Sequence, residues 1–394
     1  MFQQYLQSPE NPATANLSGL AVKPHLFDQD KILRYAAKGE LQRLTQSRLD
    51  RAKPSYTVRN VPILDVAVSL LNGDIEPRPG DMVLARIDRL GQHKRIELPS
   101  GRRATLHVGD EVILCYADRY APDQFEARVP DSLKPCSMVA AGGIAADVIS
   151  RHSARRRATA ITPQGLLADH NGNRLNLGQY TLQELQPKSP LPRVLVVVGT
   201  SMNAGKTTTA AYLIKGLTSA GCKVGAAKLT GTGAGGDRWL MLDSGACRVL
   251  DFTDVGMAST CHVPCEQLIQ SSKILITQLQ QSGADTVVLE IADGLLQHET
   301  ACLLQSHAIQ KLIDGVLFAS GDAMGALAGS QWLLDHGLPC IALGGAFTAS
   351  DLACQEAAVS TGLPVLVLSQ LADPSVATFI DTALSDSEQV NKAV

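Results

Sequence analysis

The chain has 394 residues, 45% hydrophobic, 19% charged and 4% aromatic, with a formal net charge of −3. That length supports two or three domains with sizeable cores, and the composition is that of an ordinary soluble globular protein with unusually few aromatics. No run approaches the ~20 apolar residues of a membrane span, and the start, MFQQYLQSPENP, lacks the basic-then-apolar pattern of a secretory signal.

Nine cysteines without framework spacing point to reduced thiols and a cytoplasmic protein. Charge is unevenly spread. Residues 1–190 carry 25 Lys/Arg against 20 Asp/Glu, and residues 191–394 carry 10 against 18. Two unlike halves meet at Pro190-Leu191-Pro192.

Residues 1–78 read as a partly helical segment. Asp30 to Ala52 has mixed apolar spacing and many charges, which predicts one or two surface helices. Val61 to Gly73 adds a short helix or strand ending at Asn72-Gly73. Residues 79–188 read as a smaller β-rich, barrel-like domain. Short segments at 82–88, 95–99, 104–108 and 111–117 are separated by Gly-containing turns, and Asn171-Gly172 signals a hairpin within 165–177. The densest basic cluster, Arg151-His152-Ser153-Ala154-Arg155-Arg156-Arg157, is read as a solvated loop in preference to an anion site. No aromatic platform interleaves it, which argues against nucleic acid as a partner.

Residues 189–394 read as an α/β domain with a parallel sheet, organised around Val194 to Leu217. Five consecutive apolar residues, Val194 to Val198, suit a strand buried on both faces. Gly199, a short polar loop and Gly205-Lys206-Thr207-Thr208 follow, and then Ala210, Leu213, Ile214 and Leu217 recur with helical spacing. Strand, glycine-bounded loop, Lys-Thr and helix form a P-loop. Its backbone N–H groups and helix N-terminus attract phosphate, Lys206 reaches the β/γ-phosphates, and the Thr207 hydroxyl completes a Mg²⁺ sphere. Gly199, Thr200, Asn203, Ala204, Gly205, Lys206, Thr207 and Thr208 are the candidate nucleotide ligands. Five residues separate the two glycines, where the strict pattern has four.

Further strands are expected at 223–231, 285–294, 315–322, 339–345 and 363–369, with helices near 265–281, 300–312, 324–336 and 350–361. Ligands in such sheets sit at the carboxyl ends of the strands. Lys228, Asp237, Glu290, Asp293 and Asp322 are therefore the charged candidates. Lys228 is a phosphate or substrate-carboxylate ligand, because an unpaired ammonium is costly to desolvate at a buried strand end. Glu290, directly after an apolar strand, is a Mg²⁺ ligand or base. Asp237, after the glycine-rich run 231–236, is a third candidate metal ligand beside Thr207 and Glu290. Asp293 competes with a turn role in Asp-Gly, and His298 and Glu299 stand close by in sequence. Cys261-His262-Val263-Pro264-Cys265 offers at most three metal ligands and has no second pair nearby.

Over residues 193–370 the chain resembles dethiobiotin synthetase and the cobyrinic acid a,c-diamide synthase group. The resemblance rests on GTSMNAGKTT, on Lys228-Leu229-Thr230-Gly231, on LEIADG and on SGDAMGALAGSQWLLDHGLPCIALGG. It implies a P-loop NTPase domain, ATP and Mg²⁺ as cofactors, Lys228 on phosphate and substrate, and Glu290 on the metal. The β-rich half has no counterpart in dethiobiotin synthetase, and the fifth strand ends in Gly-Gly where the family commonly has Asn.

The expected function is a Mg²⁺/ATP-dependent enzyme that activates a small-molecule carboxylate or carbamate by phosphoryl transfer, for ligation or ring closure. Lys206, Lys228 and Glu290 carry the chemistry. The alternatives are a small-molecule kinase and a nucleotide-driven switch of the metallochaperone type. The expected partner is a small-molecule substrate, with no membrane, and a homo-oligomer is compatible with the sequence.

Overall fold

A computed structural model of the chain describes residues 39–393. Its N-terminal strands are β1 Gly39–Arg43, β2 Lys53–Pro54, β3 Ser69–Gly73, β4 Met82–Arg89, β5 Arg95–Glu97, β6 Arg103–Thr105, β7 Glu111–Tyr116, β8 Phe125–Arg128, β9 Cys136–Ala140, β10 Ile144–Arg151 and β11 Thr159–Ala168. All but the β5–β6 hairpin belong to one nine-stranded sheet. Its pairings run from β11 to β4, β7, β10 and β9, and from β9 back to β11, so five strands close into a barrel.

Alternation along the barrel strands feeds two cores. Val83, Ala85 and Ile87 pack with Val112, Leu114 and Tyr116, whereas Met82 and Leu84 pack with Ile113, Cys115 and Phe125. Both faces are covered, which is why these strands read as unbroken apolar runs.

The sequence expectation fails in part before residue 79. The one or two helices expected over 30–52 fall partly outside the described residues. Of 39–52, only Gln46–Arg51 is helical, and 39–43 forms β1. β1 pairs antiparallel with β3, from Gly39↔Gly73 to Arg43↔Ser69, so pairing to a sheet edge decides its conformation over local propensity.

The second sheet consists of β12 Arg193–Gly199, β13 Val224–Lys228, β14 Arg248–Asp251, β15 Thr286–Glu290, β16 Gly315–Ala319 and β17 Cys340–Gly344. The strands are parallel, in the order β14-β13-β15-β12-β16-β17. Val194, Val196 and Val198 of β12 face one core and Leu195 and Val197 the other. Helix Lys206–Ser219 covers the second face through Ala210, Leu213, Ile214 and Leu217, and helix Cys265–Gln281 covers the first. β12 is central, and the chain passes to opposite sides of it at β13 and β16, which creates a crevice at its carboxyl end.

The expected strand at 363–369 does not form. Val365 makes one bridge to Leu343, and helix Leu368–Leu371 follows. Gly362 is left-handed (φ 69°), and Pro364 has no N–H to donate, so only a short contact with the β17 edge remains. The sixth strand is instead β14, in a stretch that carried no clear periodicity.

Charged groups lock the two halves together. Arg59 Nη2 reaches Asp251 Oδ1 at 3.2 Å and Asp254 Oδ2 at 2.7 Å, and Tyr56 donates its hydroxyl to Asp251. All three ion-pair members are buried. Glu97, 2% exposed, accepts from Gly235 N at 3.0 Å. Among the described residues no helix is long and apolar enough to cross a membrane.

Candidate functional site

The loop between β12 and helix Lys206–Ser219 lies at the crevice. Thr200 N donates to the Ala319 carbonyl of β16 at 3.0 Å. Asn203 and Gly205 both have positive φ, 64° and 95°. A Cβ at Gly205 would stand 2.9 Å from Ala346 N and from Gly345 Cα, so φ and crowding both require glycine there. Ala204, 2% exposed, packs beneath the loop, and Thr208 opens onto a cavity beside it. Lys206 folds back over the turn and donates to the Ser201 carbonyl at 2.6 Å. It is 6% exposed, and burial lowers its pKa against the pull of Glu290 and Asp293.

β13 and β15 bring Lys228 and Glu290 side by side in direct register. Lys228 Nζ lies 3.6 Å from Glu290 Oε1 and forms a closer ion pair with Asp237, from helix Gly236–Asp243. Burial disfavours the ammonium, but Asp237 and Glu290 outweigh it and hold Lys228 above its ordinary range. Glu290 is 1% exposed. Burial raises its pKa, opposed by Lys228 and Lys206, while Asp237 adds to the rise. Thr207 Oγ1 donates to Glu290 Oε1 at 3.0 Å. Glu290 Oε2 is buried and has no hydrogen-bond partner among the described residues.

That orphaned oxygen beside a threonine hydroxyl fits a hard divalent cation. Mg²⁺ characteristically takes one or two protein oxygens and completes its octahedron with phosphate and water. Among the described residues no group of three His, Cys, Asp or Glu is placed to hold a metal ion.

The other candidates are placed as follows. Asp293 approaches the same centre: burial raises its pKa, and Lys228, Lys206 and Arg119 oppose the rise. A Cβ at the next residue, Gly294, would overlap the Thr200 carbonyl, so this turn is pressed against the phosphate loop. Asp322 caps helix Ala323–Asp335, accepting from Gly325 N at 2.7 Å. His262 Nδ1 pairs with Asp118 Oδ2 at 2.8 Å, Glu299 accepts from His262 N, and Cys265 is joined to Cys302. His262 and Cys265 thus have partners outside the Cys261–Cys265 stretch, Cys261 is a free thiol, and the Cys265–Cys302 link departs from the expectation of reduced thiols throughout. His298 begins helix His298–Gln305.

Two features escape the sequence. One is a cavity of about 550 Å³ lined by Asn203, Gly205, Thr208, Ala346, Val367 and Ser369, among others, beside the phosphate loop. The other is the loop 117–124 of the barrel, whose Asp123 Oδ2 accepts from Asn203 Nδ2 at 3.3 Å. No motif marks either, because each arises from segments far apart in the chain.

No family model matches the chain, and no curated protein matches it. Among solved structures, the chain is similar to the signal recognition particle receptor FtsY from Elizabethkingia anophelis, at 16% identity over 53% of this chain and 70% of that one (TM-score 0.34). It is similar to the signal recognition particle 54 kDa protein from Aeropyrum pernix K1 in complex with GDP, at 22% identity over 55% and 53% (TM-score 0.34). The kinase domain of Escherichia coli tyrosine kinase ETK matches at 13% identity over 39% and 66% (TM-score 0.29). At these TM-scores the likenesses carry no argument about this chain, and no ligand or partner of those proteins passes to it through them. The chain's own strand order, central β12 and glycine-bounded loop leading into a helix are those of the P-loop NTPase fold.

Proposed function

We propose that the chain is a Mg²⁺/ATP-dependent enzyme that activates a small-molecule carboxylate or carbamate by phosphoryl transfer. The observation that carries the reading is the Thr207–Glu290–Lys228–Asp237 row at the mouth of the phosphate loop. It sets a metal-ready carboxylate directly beside a permanently charged ammonium. The residue-level resemblance to the dethiobiotin synthetase group supports the same roles.

In this reading Lys206 exchanges its bond to the Ser201 carbonyl for β- and γ-phosphate oxygens, and the loop N–H groups hold the rest of the chain of phosphates. Glu290 and Thr207 would hold Mg²⁺, which when bound neutralises phosphate charge. Lys228 orients the substrate carboxylate and balances the charge of transfer. A carboxylate oxygen attacks the γ-phosphorus, the bond to the β–γ bridging oxygen breaks, and its electron pair leaves with the diphosphate. An amine or second nucleophile then expels phosphate from the acyl phosphate.

ATP as the nucleotide follows from the residue-level resemblance alone, and the cavity beside Gly205 offers room for a base. The test is product analysis with full-length protein, MgATP and a panel of carboxylates and amines. Stoichiometric ADP, phosphate and a ligated or cyclised product support the reading. A stable phosphorylated substrate would make the protein a kinase, and hydrolysis without any substrate dependence would refute carboxylate activation.

A further inference from the structure

The barrel half buries a charged group, Arg119, part of whose guanidinium has no partner among the described residues. Arg119 lies in the loop between β7 and β8 and is 5% exposed. Its backbone is pinned to Ala127 by hydrogen bonds of 2.8 and 3.0 Å, and its Nη2 donates to Gln124 Oε1 at 3.1 Å. Its guanidinium carbon stands 5.9 Å from the Phe125 ring centre. Nε and Nη1 are buried and have no hydrogen-bond partner among the described residues. Burying donors of a charged group without partners costs several kcal/mol, so such an arrangement persists where a ligand supplies the missing acceptors.

The loop that carries Arg119 also touches the nucleotide loop. Four residues beyond Arg119, Asp123 accepts from the P-loop residue Asn203. Tyr120, the neighbour of Arg119, lines a small cavity together with Gly231, Gln297 and Asp293. Asp293 precedes the glycine that packs on Thr200, and it feels Lys206, Lys228 and Arg119 together. Asp293 is thus within electrostatic reach of cations from three separate segments, Arg119 among them. Asp123 Oδ1 is likewise buried without a partner among the described residues.

We propose that Arg119 is a ligand of the terminal phosphate of the bound nucleotide, supplied by the barrel to the P-loop half of the same chain. This rests on the reading of 199–208 as a nucleotide site. A guanidinium is suited to the role because it keeps its charge when buried and presents N–H groups in a fixed plane to phosphate oxygens. It also gives the barrel a task in the chemistry, since triphosphate and diphosphate would be told apart by a residue outside the P-loop half.

The test is calorimetric titration of full-length wild type, R119M and R119Q with Mg²⁺ and non-hydrolysable ATP and GTP analogues, alongside ADP and GDP. R119M and R119Q should each lose about 10–100-fold in triphosphate affinity, the worth of one or two charge-assisted hydrogen bonds, while diphosphate affinity changes less than about threefold. The ligand-free variants should melt close to wild type, because two of the guanidinium's donors, Nε and Nη1, have no partner among the described residues to lose. Equal losses for both nucleotides, or none, would overturn the proposal. So would a lower melting temperature in both variants with triphosphate affinity intact, which is the mark of a structural arginine. Wild type failing to bind any nucleotide would overturn the nucleotide site itself and this inference with it.

Discussion

Glu290→Gln is the most informative single change, because it keeps the shape of the side chain and removes only its charge. In the folded chain Glu290 accepts from Thr207 at 3.0 Å and faces Lys228 at 3.6 Å. Lys228 retains Asp237 in the variant, so no buried ammonium is stranded. Burial already disfavours the carboxylate, as its raised pKa records, so neutralising it should leave ligand-free stability unchanged or slightly higher. Turnover should behave differently. Losing one preorganised charge contact of this kind costs about 10²–10³ in rate, or roughly 2.7–4 kcal/mol. The magnesium concentration for half-maximal rate should rise, and nucleotide affinity should fall far less than turnover.

Lys228→Met provides the opposite arm. It leaves Asp237 and Glu290 without the cation between them, so it should lose a comparable rate and also destabilise the fold by about 3–5 kcal/mol. The assays are steady-state nucleotide turnover across a magnesium series and urea unfolding of both variants. Turnover within about threefold of wild type in Glu290→Gln, at unchanged stability, would refute the assignment, since that is the scale expected of an uninvolved acid.

Two further outcomes follow from the buried charges. Arg59→Ala should cost about 3–5 kcal/mol in urea unfolding, because buried Asp251 would lose its ion pair and Asp254 would keep only Arg238 at 3.6 Å; a loss below about 1 kcal/mol would contradict the locked interface. His93, whose Nε2 donates to the Val139 carbonyl at 2.9 Å in the neutral form, has its pKa pushed down by burial and by Arg119, from the ordinary 6.5 to about 4. The unfolded chain binds this proton first, so stability falls as pH drops from 6.5 toward 4, by about 3 kcal/mol at most from this group. The fall should be measurably shallower in His93→Gln, and identical profiles for the two proteins would remove His93 as a cause.

Much of the site is legible in the chain itself. The buried run Val194–Val198 followed by Gly205-Lys206-Thr207 declares strand, loop and helix, because each local signal agrees with the fold. Lys228 and Glu290 stand out because a charge ending an apolar strand needs a reason, and the sheet does put them in register. β14 is harder to see. It has four residues, Arg248–Asp251, with charges at both ends, and it runs straight into a turn. LPVLVLS misleads in the other direction, since its apolar content is that of a strand while Gly362 and Pro364 prevent one. The barrel is legible as short strands, but its closure through β9 is a matter of pairing across the chain. Arg119 gives no local signal at all. Its significance comes from a loop that meets Asn203 across 80 residues of sequence and from acceptors it lacks.

The central claim, a Mg²⁺-nucleotide held by residues 199–208, is tested most directly by calorimetric titration of full-length wild type and Lys206→Ala with MgATP. Lys206 donates to the Ser201 carbonyl and has no structural ion pair within 4.0 Å among the described residues, so its loss should spare the fold. Wild type should bind saturably with one site per chain. Lys206→Ala should bind at least about tenfold more weakly, at an unchanged ligand-free melting temperature, as expected when a charge-assisted phosphate contact is removed. Identical titration curves for the two proteins would contradict the account.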